Sequence, residues 1–314
     1  MREIVVFGGS AHPALSAEIC AKLGVQLHPV RLRRFANDCL EVQLQANCRE
    51  RDVFVIQPLG PPVQENLVEL LLMLDAARGA SAARVTAVIP HYAYARSDKK
   101  AMPRVSIGGR LVADLLVTAG ASRVLTMTLH SPQVHGFFSV PVDHLHALRE
   151  FAAHFSGDDL GGSVVVSPDL GNAKQAAALA RMLGLPVAAG AKERLSDERV
   201  AITSIIGDVE GRDVIILDDE IARGTTILEL LAQLRQRHAR SVRIACTHGL
   251  FSAGALQRIA AHAEVREIVC TNTLPVPGTE PGSKLLVISV AAALAEAIRR
   301  IHEGESVSAL FDAG

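Results

Sequence analysis

Short runs of apolar and β-branched residues alternate along the chain with segments whose apolar positions recur at helical spacing. Residues 53–56 precede a helical pattern over 66–77, 85–89 one over 107–119, 164–166 one over 173–183, and 214–217 one over 226–237. Strands that are apolar on both faces and joined by helices belong in parallel sheets with helices on each side. The pattern therefore predicts an α/β architecture. The longest apolar stretch, 285–295, is closed by Glu296 and falls short of the roughly 20 residues that span a bilayer. It reads as a strand running into a buried helix, and no membrane partner is expected.

At 314 residues the chain is comfortable for two domains. Weak internal repetition agrees. Residues 121–130 can be laid over 239–248, each following a helical pattern and ending its strand in a histidine, His130 or His248. The strands at 53 and 164 both stop at a proline, Pro58 or Pro168. A boundary near 148 is expected, ahead of the Gly- and Asp-rich turn at 157–162.

Composition narrows the partners. Hydrophobic residues make up 49% and charged residues 21%, and the net charge is -1, so nothing draws the whole molecule to nucleic acid or an anionic surface. With no Trp and only Tyr92 and Tyr94, it lacks stacking platforms for single strands. Five scattered cysteines, none in a Cys-x-x-Cys pair, fit reduced thiols in a cytoplasm. The start of the chain enters the apolar run 4–7 after one basic residue, which predicts no export leader.

The chemistry concentrates at strand ends. Asp218 and Asp219 follow the apolar run 214–217 and lead through Glu220, Ile221, Ala222, Arg223 and Gly224 to Thr225 and Thr226 at the start of a helical pattern. Carboxylates there accept hydrogen bonds from vicinal ribose hydroxyls, while N–H groups and threonine hydroxyls at a helix start wrap a phosphate. Plain helix capping uses the same residue types. A second segment, after the strand at 85–89, carries Arg96, Lys99, Lys100 and Arg104 and suits a polyphosphate as well as a solvated loop. His130 at a strand end suits a phosphate, a water-bridged Mg²⁺ or a structural hydrogen bond, and Asp169 a metal ion or an N-cap. Lys192 and Arg194, on an expected flexible loop, could neutralise charge on a phosphoryl group in flight. His135, His144 and His146 lack zinc-site spacing and are assigned to loops or surface. Neither a P-loop nor a Gly-x-Gly dinucleotide fingerprint occurs.

Together these segments resemble the ribose-phosphate diphosphokinase, or phosphoribosyl pyrophosphate synthase, family nearly end to end. The likeness runs from Phe7-Gly8-Gly9-Ser10-Ala11-His12-Pro13 through Arg96-Ser97-Asp98-Lys99-Lys100, Leu129-His130, Val166-Ser167-Pro168-Asp169 and Thr247-His248-Gly249-Leu250-Phe251-Ser252 to the segment 298–311. The resemblance implies two phosphoribosyltransferase-like domains, 1–148 and 149–298, with 299–314 packing back on the first. It implies a homo-oligomer, a hexamer built from dimers, and transfer of a diphosphoryl group from Mg-ATP to the C1 hydroxyl of ribose 5-phosphate. By position, Arg96, Lys99, Lys100 and His130 match ATP phosphate ligands, and Phe35 with Asn37 an adenine site shared with a neighbouring subunit. His130 and Asp169 match Mg²⁺ ligands, Lys192 and Arg194 the groups at the transferring phosphoryl, and Asp218 to Thr226 the ribose 5-phosphate loop.

That loop departs from the family pattern Asp-Asp-x-x-Asp-Thr-x-Gly-Thr. Ala222 replaces an Asp, Arg223 a Thr and Thr225 a Gly, so one acceptor is lost, one cation is gained, and positive φ is restricted at 225. Asn172 stands for a second glycine, Ser97 for Gln and Cys39 for an acidic residue. The altered loop keeps two other expectations in play: a non-catalytic paralogue regulating a synthase assembly, and an enzyme with a changed donor or acceptor.

Overall fold

The β-branched runs form strands because their side chains pack on both pleated faces, and the intervening periodic segments form the covering helices. The structure, a computed structural model, describes residues 3–194, 200–276 and 283–310, without the side chains of 192–201 and 309. The chain divides into two units. The first holds the described residues up to His146, together with Thr273–Pro275 and the chain from Val290. The second holds the described residues from Ala147 to Asn272, with Val276 and 283–289.

The first unit contains β1 (Ile4–Gly8), α1 (Pro13–Leu23), β2 (Leu27–His28), β3 (Val30–Arg34), β4 (Leu40–Leu44), β5 (Asp52–Ile56), α2 (Val63–Gly79), β6 (Arg84–Ile89), α3 (Gly108–Ala119), β7 (Arg123–Met127) and β8 (Val142–Leu145). Its main sheet is parallel in the order β2-β1-β5-β6-β7-β8, and β3 and β4 form a separate antiparallel hairpin. Phe7, Val53, Val55, Leu70, Leu74 and Ile89 centre the core. Each such side chain contributes roughly 1.5–3 kcal/mol on leaving water.

The second unit contains α4 (Leu148–Phe155), β9 (Ser163–Ser167), α5 (Ala173–Leu183), β10 (Val187–Arg194), β11 (Val200–Ile206), β12 (Asp213–Ile221), α6 (Thr225–Gln236), β13 (Ser241–Gly249), α7 (Ala255–Ala260), β14 (Val265–Thr271) and β15 (Leu285–Ile288). Its sheet runs β11-β10-β9-β12-β13-β14-β15, parallel except for the β10/β11 pair. Helix α6 buries Ile227, Leu230, Leu231 and Leu234, a spacing that lines one helix face against the sheet.

Helix α8 (Ala291–Glu303) belongs to the first unit, where it packs on α1. Its end is held by Asp52, fully buried at the start of β5, which accepts from Arg84 and meets His302 Nδ1 at 2.8 Å. Arg84 also donates to the carbonyls of Ile301 and His302 at 3.2 and 3.3 Å. All five cysteines are free, with Cys39 exposed and Cys20, Cys48, Cys246 and Cys270 buried. Among the described residues no helix is long and apolar enough to cross a membrane.

Candidate active site

In the second unit the chain passes from β9 outward to β10, whereas β12 pairs with the other side of β9. The carboxyl ends of β9 and β12 therefore flank a topological switch point, where open α/β sheets collect ligands. Asp169 follows β9, and Asp218 and Asp219 lie on β12. The sequence suggested that this strand ends before the acids. Instead β12 stays paired with β13 through Asp218↔Cys246, Glu220↔His248 and Ile221↔Gly249, so the connecting loop is only Ala222, Arg223 and Gly224.

The acids are close enough to govern one another. Burial pushes the Asp218 carboxyl well above the usual carboxylate range, and the charges of Asp219 and Asp169 push it the same way. The Asp219 N–H, donating to Asp218 Oδ1 at 2.9 Å, only partly offsets this. Asp169 Oδ1 accepts the Asn172 N–H at 3.1 Å, and Asn172 Nδ2 donates to the Leu217 carbonyl at 2.9 Å. Asn172 thus ties the turn after β9 to β12 beside the acids, a link that a glycine at this position would lack.

Beyond the loop, Gly224 caps α6 with φ 71°, a conformation that glycine adopts at little cost. Thr225 is the first helical residue and needs no positive φ, so its replacement of a glycine is accommodated by moving the left-handed turn to Gly224. The cap makes no side-chain hydrogen bond. Among the described residues, no acceptor meets the N–H groups of Gly224, Thr225 or Thr226. Open donors at the positive end of a helix dipole suit a phosphate. Arg223 is exposed beside them, and its side chain makes no ion pair within the described residues.

In the first unit, the predicted cations gather at the carboxyl ends of the neighbouring strands β6 and β7. Arg96 closes a short 3₁₀ turn (Ala93–Arg96), and Lys99 and Lys100 follow, all three exposed. Ser97 accepts the Gly108 N–H at 2.8 Å through its hydroxyl and the Gly109 N–H at 2.9 Å through its carbonyl, fixing this loop to the start of α3. Gln133 Nε2 donates to Asp98 Oδ2 at 2.5 Å, joining the loop to the segment that carries His130. Phe35 and Asn37 sit apart from these, at the tip of the β3/β4 hairpin. There Arg33 stacks 4.9 Å from the Phe35 ring centre, and Asn37 Oδ1 accepts the Cys39 N–H at 3.3 Å.

Comparison with known proteins decides the family. Residues 4–120 match the N-terminal domain of ribose phosphate pyrophosphokinase, and residues 193–312 match the phosphoribosyl synthetase-associated domain. A putative ribose-phosphate pyrophosphokinase of Streptomyces coelicolor is 72% identical, covering 100% of this chain and 99% of its own. The chain belongs to the ribose-phosphate pyrophosphokinase family. A ribose-phosphate pyrophosphokinase of Deinococcus radiodurans is 50% identical over 98% of each chain. The crystal structure of phosphoribosylpyrophosphate synthetase from Mycobacterium smegmatis aligns with a TM-score of 0.90, covering 96% of this chain and 100% of that one, at 39% identity.

Several placements in this pyrophosphokinase differ from the sequence expectations. His130 does not end a strand: β7 stops at Met127, Thr128 turns with φ 43°, and His130 lies exposed beyond. His144 belongs to neither loop nor surface. It lies half-buried on β8, and its Nε2 accepts the Leu129 N–H at 2.8 Å, bracing the turn that presents His130. No local pattern marks that role, because its partner is fifteen residues away. Lys192 and Arg194, expected on a loop, have their backbone on β10, paired opposite Ile202 and Val200 of β11. Their side chains lie outside the described residues.

The oxygens offered at this switch point are of the hard type that Mg²⁺ takes. Asp169, Asp218 and Asp219 offer carboxylate oxygens, and burial with mutual repulsion leaves Asp218 short of a counter-charge. Among the described residues no group of three or more His, Cys, Asp or Glu is placed to hold a metal ion. Mg²⁺ commonly takes only one or two protein carboxylates and completes its shell with waters and substrate phosphates.

Proposed function

We propose that the chain transfers the β,γ-diphosphoryl group of ATP to the C1 hydroxyl of ribose 5-phosphate, giving 5-phosphoribosyl 1-diphosphate and AMP for nucleotide biosynthesis. The sugar's C1 oxygen forms a bond to the β-phosphorus, the bridge to the α-phosphate breaks, and the hydroxyl proton is released. The observation that carries this reading is the switch-point crevice of the second unit, where Asp169, Asp218 and Asp219 stand beside the open N–H groups of Gly224, Thr225 and Thr226. The attacking atom belongs to the sugar, so the protein's task is orientation and charge stabilisation rather than nucleophilic attack.

In this reading Asp218 and Asp219 hold the ribose hydroxyls, and the loop from Ala222 to Thr226 holds the 5-phosphate, with Arg223 adding a cation. Arg96, Lys99, Lys100 and His130 hold the ATP phosphates, while Phe35 and Asn37 present one wall for adenine. Lys192 and Arg194 stabilise the transferring group. The family typically uses Mg-ATP; Asp169 and His130 would hold the Mg²⁺, which offsets phosphate charge when bound. The two units answer to two phosphoribosyltransferase-like domains, the first running to His146 and regaining the chain at Val290 rather than at 299, the second beginning at Ala147. We place the enzyme in the cytoplasm, where five free cysteines stay reduced, as a homohexamer built from dimers.

Purified protein incubated with ATP, ribose 5-phosphate and Mg²⁺ should release AMP and phosphoribosyl diphosphate in equal amounts, with no AMP when the sugar is omitted. Absence of AMP across a range of metal and inorganic phosphate concentrations would overturn the reading.

A further inference from the structure

Arg258, on α7, stands away from the sequence motifs of the site yet grips its phosphate loop. Its Nη2 donates to the Arg223 carbonyl at 2.5 Å, and its Nη1 to the Ala253 carbonyl at 3.0 Å. The same helix supports the loop by packing. Ile259 and Ala255 would meet a Cβ built on Gly224 at 3.0 and 3.3 Å, so α7 can approach this closely only because residue 224 is glycine.

The C=O and N–H of one trans peptide point in opposite directions. A guanidinium that holds the Arg223 carbonyl therefore turns the Gly224 N–H away from Arg258, in the residue that caps α6 directly before Thr225 and Thr226. That peptide adjoins a glycine, whose wide conformational freedom makes it the easiest plane in the loop to rotate. The second carbonyl in the fork comes from a strained turn. Phe251, Ala253 and Gly254 have φ of 45°, 52° and 69°, and a hydrogen bond to the Ala253 carbonyl helps keep that turn in place. A planar fork spanning both carbonyls couples the two segments in a way that a single-point donor does less well.

We propose that Arg258 is a positioning residue for the sugar-phosphate site. It fixes the Arg223–Gly224 peptide so that the Gly224 N–H faces the 5-phosphate, and it does not touch the substrate. The proposal rests on reading 222–226 as the ribose 5-phosphate loop.

The test compares wild type with Arg258→Met, which keeps the aliphatic stem and removes the donors, and Arg258→Lys, which restores a charged donor without the fork. Ribose 5-phosphate binding is measured by calorimetry, KM for each substrate by AMP release, and melting temperature alongside. Arg258→Met should weaken ribose 5-phosphate binding and raise its KM by roughly three- to tenfold, the scale of one ordinary hydrogen bond. The KM for ATP and the melting temperature should hold, and Arg258→Lys should recover part of the loss. Wild-type affinity in Arg258→Met would overturn the proposal, as would equal weakening toward both substrates with a lowered melting temperature. If Arg258→Met does not fold, Arg258→Lys decides the matter by its ratio of the two KM values. A wild-type protein that does not bind ribose 5-phosphate would instead overturn the reading of the loop itself.

Discussion

Asp218 illustrates a residue kept against the interest of the folded chain. Its carboxyl is raised by burial and by the neighbouring charges of Asp219 and Asp169, so its ionisation becomes increasingly costly in the folded state. A carboxyl raised in this way favours folding below its unfolded value, and that contribution is lost as pH climbs through the folded value. At neutral pH, Asp218→Asn should therefore raise the melting temperature of the ligand-free protein by roughly 2–4 °C while removing ribose 5-phosphate turnover. Thermal scans with a parallel AMP assay test this, and a lower melting temperature would show that Asp218 is not under electrostatic load. The motif Asp218-Asp219 was legible in the chain because acids after an apolar run are conspicuous. The links by which His144 and Asn172 brace the site were not, since each depends on a partner brought near only by folding.

At the scale of elements, β12 is anchored at one end and functional at the other. Asp213, at its start, accepts from Arg240 at 2.5 and 2.9 Å and from the Ser241 hydroxyl at 2.6 Å, and Arg240 foremost lowers its carboxyl to about 2. Because the folded value lies below the unfolded one, this clamp stabilises above the ordinary carboxylate pKa and weakens as pH falls. Asp213→Asn should cost roughly 1–2 kcal/mol at neutral pH. That difference from wild type should shrink as pH falls from about 4 toward 2. Denaturant unfolding at several pH values measures it, and a gap independent of pH would place the effect elsewhere than in the charge. The buried parallel strands and their helices were readable as elements because burial on both faces writes continuous apolar runs. The hairpin of β3 and β4 escaped that reading: β3 is exposed beyond Val30 and β4 alternates between half-buried and exposed positions, with no run of buried apolar residues. The β10/β11 pairing was hidden for another reason, as Lys192, Glu193 and Arg194 look like loop residues until an antiparallel neighbour is found for them.

Across the molecule, the two sheets share a plan. In the first unit β1 leads outward to β2 while β5 takes its other side, just as β9 leads to β10 while β12 takes its other side. The first unit's corresponding crevice is already occupied. Glu69 is buried there, accepting the Ser10 N–H at 2.7 Å, the Ser10 hydroxyl at 2.5 Å and Gln57 Nε2 at 3.0 Å, beside a cavity of about 230 Å³ lined in part by Arg34, Glu65 and Asn66. In the first unit a carboxylate from α2 thus accepts hydrogen bonds from the turn after β1 and from Gln57 after β5, whereas the second unit leaves the N–H groups of Gly224, Thr225 and Thr226 after β12 open among the described residues. The repeat read from the sequence laid 121–130 over 239–248 and the strand at 53 over that at 164, which are β7 over β13 and β5 over β9, whereas the strand order matches β7 with β14 and β5 with β12.

The uneven placement of sulfur has a practical consequence. Burial pushes the Cys270 thiol up to about 12 and Cys20 to about 11, raises Cys48 and Cys246 as well, and leaves Cys39 at the hairpin tip as the exposed member of the five. A maleimide dye applied to the native protein should therefore attach at one point, verified by intact mass as a single adduct. Because that point lies two residues from Asn37, the dye would also test the proposed adenine wall: its emission should change on adding ATP, and unchanged emission would count against a purine at the hairpin.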